Sequence, residues 1–384
     1  MSELVSRRNA LRLLGVGGLG AGAVLVGLPG CGVYEAEDGE AFAPWSFPGD
    51  DRVPERVAAR AAILASSPHN TQPWAIGITP TSLALRARLD RSVGTMDGLL
   101  REMHIGLGCA VENMVIAARA MGRAPAVALM PDPADTPLVA RIDLAPAAPE
   151  ESALYEAIAN RHTNRGTYVD AVAAPGLEQA LRTLVDDPAV SLRFLSSGDE
   201  RARFRDETIA ATVAICDDRE MAEDSDRWYR HTDEDIAQYR DGTTLDATGL
   251  GAATRTLGKT FARPSLASTN QYWIDGTKDR QTTGSAFVIL SSSRASTRVD
   301  QLKVGRIYQR LHLWAASQRL AMQPLNQLAE RQDREEAHGL EPRSTRFLDG
   351  LVGAERRAQM LFRIGYAWDK AFASPRRPLA WVTT

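Results

Sequence analysis

Two short stretches hold the residue types that could grip an anion and a polar ring. Arg161-His162-Thr163-Asn164-Arg165 sets two guanidiniums four residues apart around a threonine hydroxyl, just after the helical pattern at 154–160. A phosphate needs arginine forks and donors at a helix end or turn, because its charge must be desolvated to be held tightly. Arg161 suits that task, as do Arg376 and Arg377 further along the chain. The second stretch, Ser66-Ser67-Pro68-His69-Asn70-Thr71-Gln72-Pro73-Trp74, is dense in hydrogen-bonding groups and closed by a proline and a tryptophan. A loop of this kind holds donors in place on a rigid scaffold, which is how binding sites are usually built. Taken singly, each has an ordinary reading: a polar helix-to-strand connection, surface ion pairs, a solvated basic turn.

Other chemistries find little support. The six histidines are neither paired at i, i+4 nor grouped with cysteine, so no metal site is expected. A hydrolase elbow and a P-loop are both missing from the sequence. Cys31, Cys109 and Cys216 lie far apart and suggest no disulfide framework. A net charge of -3 and a pI near 6.1 leave no electrostatic footprint for nucleic acid. With 384 residues, 44% hydrophobic and 24% charged, the composition is that of a globular protein with room for two domains or one large one.

The elements that must position these residues can be read in outline. A helix begins after Pro54, with Val57, Ala61 and Leu64 on one face, and Pro68 forces it to stop. Two β runs around Pro80-Thr81-Ser82 predict a hairpin over 75–89. Met103, Leu107, Val111, Met114 and Ala118 predict a long helix over 99–121, stopped by Gly122, and 138–144 reads as a strand. The second half repeats this outline: Ile105-Gly106 aligns with Val304-Gly305 and Pro125 with Pro324, and a strand at 285–292 precedes the second long helix. The expected plan is a linker at 32–53 with little structure of its own, a first half at 54–150 and a second half at 151–384. Between them, 197–239 reads as solvated surface helix. The Gly- and Thr-rich stretch 243–259 reads as a flexible loop or lid inserted at about 240–260, and the chain finishes in a basic turn running into a C-terminal strand.

Residues 1–31 read as an export signal. Ser6-Arg7-Arg8-Asn9-Ala10-Leu11 is a twin-arginine region, followed by an apolar run and by Leu28-Pro29-Gly30-Cys31, a lipoprotein-like box with Cys31 as the candidate acylated residue. An uncleaved anchor helix is the alternative, marginal at ~18 residues. Gly15-Val16-Gly17-Gly18-Leu19-Gly20 matches a dinucleotide fingerprint but lacks its strand and is set aside. The expectation is export by the twin-arginine machinery to the periplasm or cell envelope, with membrane contact only through this segment or a lipid on Cys31. Because that route carries folded proteins, it also hints at a cofactor loaded beforehand.

An isoalloxazine ring needs hydrogen bonds to its pyrimidine edge and positive charge near N1–C2=O, and Arg165, Asn70 and Gln72 are the types for that task. The two stretches together resemble the nitroreductase superfamily of FMN enzymes, and more closely its Acg-like branch, in which one chain carries two halves. Asp90-Arg91, Arg101-Glu102, Gln323-Pro324-Leu325-Asn326-Gln327 and Arg363-Ile364-Gly365-Tyr366-Ala367 extend the likeness in order over about 54–382. The resemblance implies an α+β nitroreductase-like fold of two fused halves, each a sheet flanked by helices, forming an internal, monomeric pseudo-dimer. It further implies FMN in the groove between them, with Arg161 on the phosphate, Thr163 on the ribityl chain and Arg165 on the ring. Ser67, Asn70 and Gln72 would reach over from the first half. Gln323, Pro324, Leu325 and Asn326 would lie beside the ring, and Arg377, with Arg376 second to it, would close on the phosphate. Each motif occurs once, so one working FMN site and one degenerate one are expected. The implied activity passes hydride from NAD(P)H or another donor to nitro or quinone-like small-molecule acceptors, with no side-chain nucleophile. The rival reading is a flavin-sequestering stress protein with little turnover.

Overall fold

The computed structural model describes residues 35–384. The expected export signal and lipid box lie outside those residues. Helix α1 (Pro54–Ala62) starts with proline at its first turn, where a missing N–H costs nothing, and buries Val57, Ala58 and Ala61. The hairpin follows as β1 (Trp74–Thr79) and β2 (Ser82–Ala87), in register from Trp74 opposite Ala87 to Thr79 opposite Ser82. Next come α2 (Arg101–Ala120), β3 (Arg123–Leu129) and β4 (Leu138–Pro146). β3 was not expected; its residues alternate with little hydrophobic contrast, which hides a strand from a pattern search.

The second half runs α3 (Leu177–Thr183), β5 (Ser191–Leu195), α4 (Gly198–Asp217), α5 (Arg219–Asp226), α6 (Asp233–Tyr239), α7 (Ala252–Thr260), α8 (Leu266–Gly276) and β6 (Ala286–Ser293). It closes with α9 (Arg298–Ser317), β7 (Ala321–Pro324), α10 (Gln327–His338), α11 (Arg343–Val352), β8 (Arg356–Gly365) and α12 (Leu379–Val382). Two four-stranded sheets result, ordered β1-β2-β4-β3 and β5-β6-β8-β7, and all their pairings are antiparallel. Each sheet therefore has the same strand order, with a 20-residue helix between its second and third strands in sequence.

Those two helices, α2 and α9, pack against each other at the centre. Their backbones meet at Gly108 and Gly305. A Cβ on either would stand 3.0 Å from the other's Cα and closer still to a carbonyl oxygen, that of Leu302 or of Ile105. Only glycine allows this approach. Gly305 thus meets Gly108 across the crossing, while Gly106, its match in the sequence repeat, faces Pro68 and Ser67. A polar seam flanks the crossing: Glu112 pairs with Arg306 at 2.9 Å and Arg310 at 2.7 Å, and Gln309 donates to Asn113 at 2.9 Å.

Three expectations are corrected. The segment at 32–53, expected to be a linker with little structure of its own, holds only the 3-10 turn Ala43–Trp45 but is packed against the rest of the protein over its described part. Ala41 and Phe42 are buried against Ile236 and Ala373, and Glu37 accepts the Ala373 N–H at 2.6 Å. Apolar side chains spaced among its acidic residues give it a face to bury. The stretch 243–259, expected as a flexible loop or lid, does line the cavity described below but holds most of α7, and buried Asp246 ties it down through Arg255 at 3.1 Å and Lys259 at 2.8 Å. The expected C-terminal strand is the single helical turn α12, with a one-residue parallel bridge from Thr383 to Ile76. Pro378 has no N–H to give a ladder, and the turn closes instead through Trp381 N–H to its carbonyl at 2.9 Å. This tail still crosses from the second sheet to the edge of the first.

Candidate functional site

Below the end of α1 the chain turns through Ser67-Pro68-His69-Asn70-Thr71-Gln72. His69, Asn70 and Gln72 all have positive φ, 46°, 56° and 52°. Holding non-glycine residues there costs about 1–3 kcal/mol each, so surrounding bonds must fix the loop. Asn70 Nδ2 donates to Gly242 O at 3.0 Å and Pro375 O at 2.9 Å, and Ser67 Oγ accepts the Gln72 N–H at 3.1 Å. Arg91 donates to Thr71 O at 2.6 Å while pairing with Asp241, which also holds Arg230.

The segment 161–166 is fixed from beneath by Arg363. This fully buried guanidinium stacks 3.6 Å from the Tyr168 ring centroid and donates to Gly166 O at 2.6 Å and Asn164 O at 3.3 Å. Arg161 reaches the turn that follows α1, donating to Leu64 O at 3.1 Å, and Arg376 donates to the neighbouring Ala65 O at 3.3 Å. Carbonyls at a helix C-terminus favour cations. They occupy only part of each fork: Arg161 Nε and Arg376 Nε and Nη1 are buried without partners.

These pieces wall a cavity of about 1320 Å³, larger than the roughly 300–1,000 Å³ usual for one small ligand. Of the residues singled out by sequence, Ser67, Asn70, Arg161, Thr163, Arg165, Gln323, Pro324, Asn326 and Arg376 line it. Gln72, Leu325 and Arg377 do not. Gln72 is fully buried, donating to Arg240 O at 2.9 Å and accepting the Arg377 N–H at 2.9 Å. It ties the loop to the tail, because its left-handed backbone turns the side chain that way. Leu325 is in a hydrophobic core with Leu328 and Leu361. Arg377 points along the tail to Trp381 O at 3.2 Å, so the arginine at the cavity is Arg376.

Several wall residues escaped the sequence reading. Trp45, from the supposed linker, donates its indole N–H to Ser374 O at 2.8 Å. Its ring meets His162 edge-on at 4.5 Å and lies 4.9 Å from the Arg376 guanidinium and 6.0 Å from that of Arg161. No local signal marks it; its partners lie over a hundred residues away. The opposite wall comes from α5, α7 and α8 and their connections, including Trp228, Tyr229, Phe261 and Tyr272. Glu102 and Glu330 also line it.

The cavity's basic end is electrostatically strained. Burial lowers the Arg161 and Arg165 pKa values, and burial together with Arg161 lowers that of Arg376 well below its ordinary value. Burial, then Arg161 and Arg376, push His162 down to about 3; burial, then Arg165, push His69 down to about 4. Among the described residues no carboxylate pairs with Arg161, Arg165 or Arg376. Clustered arginines beside neutral histidines, with donors to spare, are the chemistry of an anion site.

The fold is that of an α+β protein of two like halves, with a large cavity lined by residues of both among the described residues. No family model matches the chain. A Mycobacterium tuberculosis protein provisionally named NAD(P)H nitroreductase is 27% identical over 356 residues, 90% of this chain and 96% of its own length. A second from that organism, provisionally named NAD(P)H nitroreductase acg, is 25% identical over 332 residues, 84% of this chain and 93% of its own. Over most of its length the chain is thus similar to curated proteins named as nitroreductases. Among solved structures, the FMN-dependent nitroreductase NfnB from Mycobacterium smegmatis in complex with NADPH overlaps at a TM-score of 0.38 and 16% identity, over 60% of this chain and 97% of its own. A Bacteroides fragilis nitroreductase with bound FMN gives 0.34 and 13%, over 59% and 95%.

Proposed function

We propose that the chain is an FMN-dependent oxidoreductase of nitroreductase type, acting on nitro or quinone-like small molecules. The observation that carries this is the buried pair Arg161 and Arg376, whose free Nε and Nη1 groups meet no carboxylate. A phosphate would satisfy those donors and balance their positive charge, so the residues present fit the group. FMN, when bound, supplies a carrier that takes up two electrons as hydride from NAD(P)H or another donor and passes them on. Around it Thr163 would hold the ribityl chain, and Arg165 with Asn70 the ring edge. Gln323, whose Oε1 is buried without a partner, and Asn326 would lie on the remaining side. The residues' part is positioning and charge stabilisation.

The wall contributed by 219–281 supports a second reading, in which a covered flavin is stored with little turnover. One experiment separates them: the visible spectrum of the purified protein, then NADPH added without oxygen. A yellow protein that bleaches promptly supports the oxidoreductase. One that bleaches only with dithionite supports storage or a different donor. A colourless protein that FMN cannot reconstitute overturns both. Export by the twin-arginine route, with or without lipid on Cys31, and a single working FMN site in an internal pseudo-dimer belong to the same proposal.

A further inference from the structure

At the end of the cavity where Glu102 and Glu330 reach its wall, a second charge cluster is buried. Asp97, Glu102, Glu330 and Asp333 lie among the guanidiniums of Arg101 and Arg357, and none of the six is more than 8% exposed. The pairing is uneven. Asp333 takes both arginines, Arg101 at 2.8 Å and Arg357 at 2.6 Å. Glu102 has Arg101 at 3.2 Å, and Asp97 accepts the Glu102 and Met103 N–H groups at 2.9 and 2.8 Å at the start of α2. Arg298, on α9, adds positive charge toward Asp97 but donates to Leu99 O at 2.6 Å. Arg357 also spends one nitrogen on Glu336. Glu330, 6% exposed on α10, is left over: its Oε2 is buried without a partner, and its side chain lines the cavity.

We propose that Glu330 carries a proton at neutral pH and is the proton donor to the acceptor reduced in this cavity. An ionised carboxylate here would be desolvated beside three others with no cation of its own, and a buried acid so placed keeps its proton. Burial, then Glu102, raise the Glu330 pKa well above the carboxylate range, and burial, then Glu102, raise Asp97 to about 7. The proposal rests on the oxidoreductase reading. For a quinone acceptor, hydride from a two-electron donor adds to the acceptor, the Oε–H bond of Glu330 breaks, and that proton forms an O–H bond on an acceptor oxygen. The product is a neutral diol, and the carboxylate regains its proton from water.

The test compares wild type, Glu330→Gln and Glu330→Asp, each loaded with FMN. After reduction with dithionite without oxygen, each is mixed with a water-soluble benzoquinone and reoxidation is followed across pH. Wild type should slow as pH rises through the Glu330 titration. E330Q should be slower by about 100-fold at neutral pH and lose that dependence, whereas E330D should recover it. An independent readout is infrared difference spectroscopy, where a protonated-carboxyl band above neutral pH should be missing from E330Q. An unchanged pH profile in E330Q, or no loss of that band, overturns the assignment. If no variant takes up FMN, the oxidoreductase reading falls and donation with it. The infrared band still shows separately whether Glu330 is protonated.

Discussion

The two sheets share a strand order and differ in what joins their first two strands. In the first, Pro80 and Thr81 alone turn β1 into β2; in the second, residues 196–285 stand between β5 and β6. The short link leaves a bare hairpin. The long one supplies α5, α7 and α8, which close one side of the cavity. The repeated part of each half makes the core, through α2 and α9, and departures from the repeat add much of the cavity wall to what α2, α9 and β7 supply. The basic end also mixes sources, with α1 and the 66–72 loop from the first half and Arg161, Arg165 and Arg376 from the second.

The largest test of this comparison falls on the symmetric crossing. Gly108→Val and Gly305→Val should each lower stability by more than about 3 kcal/mol, because the added atoms meet backbone that cannot move aside. Urea unfolding measures it. Gly106→Ala, facing Pro68 at 3.1 Å and Ser67 at 3.2 Å, should cost about 1 kcal/mol. If Gly106 proved as sensitive as Gly305 and Gly108 did not, the structural pairing of the two helices would be wrong. Next, Arg376→Ala should weaken FMN binding by about 10–100-fold, the scale of a charged hydrogen bond, while Arg377→Ala changes it by less than about threefold. Fluorescence titration reads both, and equal effects would blur the distinction between the adjacent arginines. Trp45→Ala should speed flavin release by about tenfold, read by stopped flow, with Trp45→Phe much closer to wild type.

The smallest effect comes with acid. His69 and His162 have folded pKa values below the usual 6.5, so the unfolded chain binds the extra protons. Their contribution is present above 6.5 and is lost as pH falls toward about 4 and about 3. One unit below 6.5 each ring should account for about 1 kcal/mol. Replacing both by glutamine should flatten this part of the stability profile, and an unchanged slope would count against neutral rings.

The motifs were legible because their function is local: a helix stopped by Pro68, a hairpin around Pro80, arginines spaced on a turn. Directions of side chains were not. Gln72 and Arg377 carry suitable groups but are turned onto each other by a left-handed backbone and a proline-bounded tail. Trp45 was invisible because its value comes from Ser374, His162 and Arg376, brought near only by the fold. α7 was taken for loop because glycine and threonine lower helix propensity. Its anchoring through Asp246 to Arg255 and Lys259 outweighs that.

Because both sheets belong to one chain, the cavity walls come together in a unimolecular step. A site built between separate subunits is diluted away when protein concentration falls below the dimer's dissociation constant; this one has no such threshold. Joining also frees the two copies of each position from each other. In a symmetric homodimer every substitution lands twice, and a gain on one side of the axis must be tolerated on the other. Here Gly108 and Gly305 can stay matched for packing while β1–β2 keeps a two-residue turn and β5–β6 grows a chamber wall. One ligand site can then change its selectivity without a mirror image having to change with it.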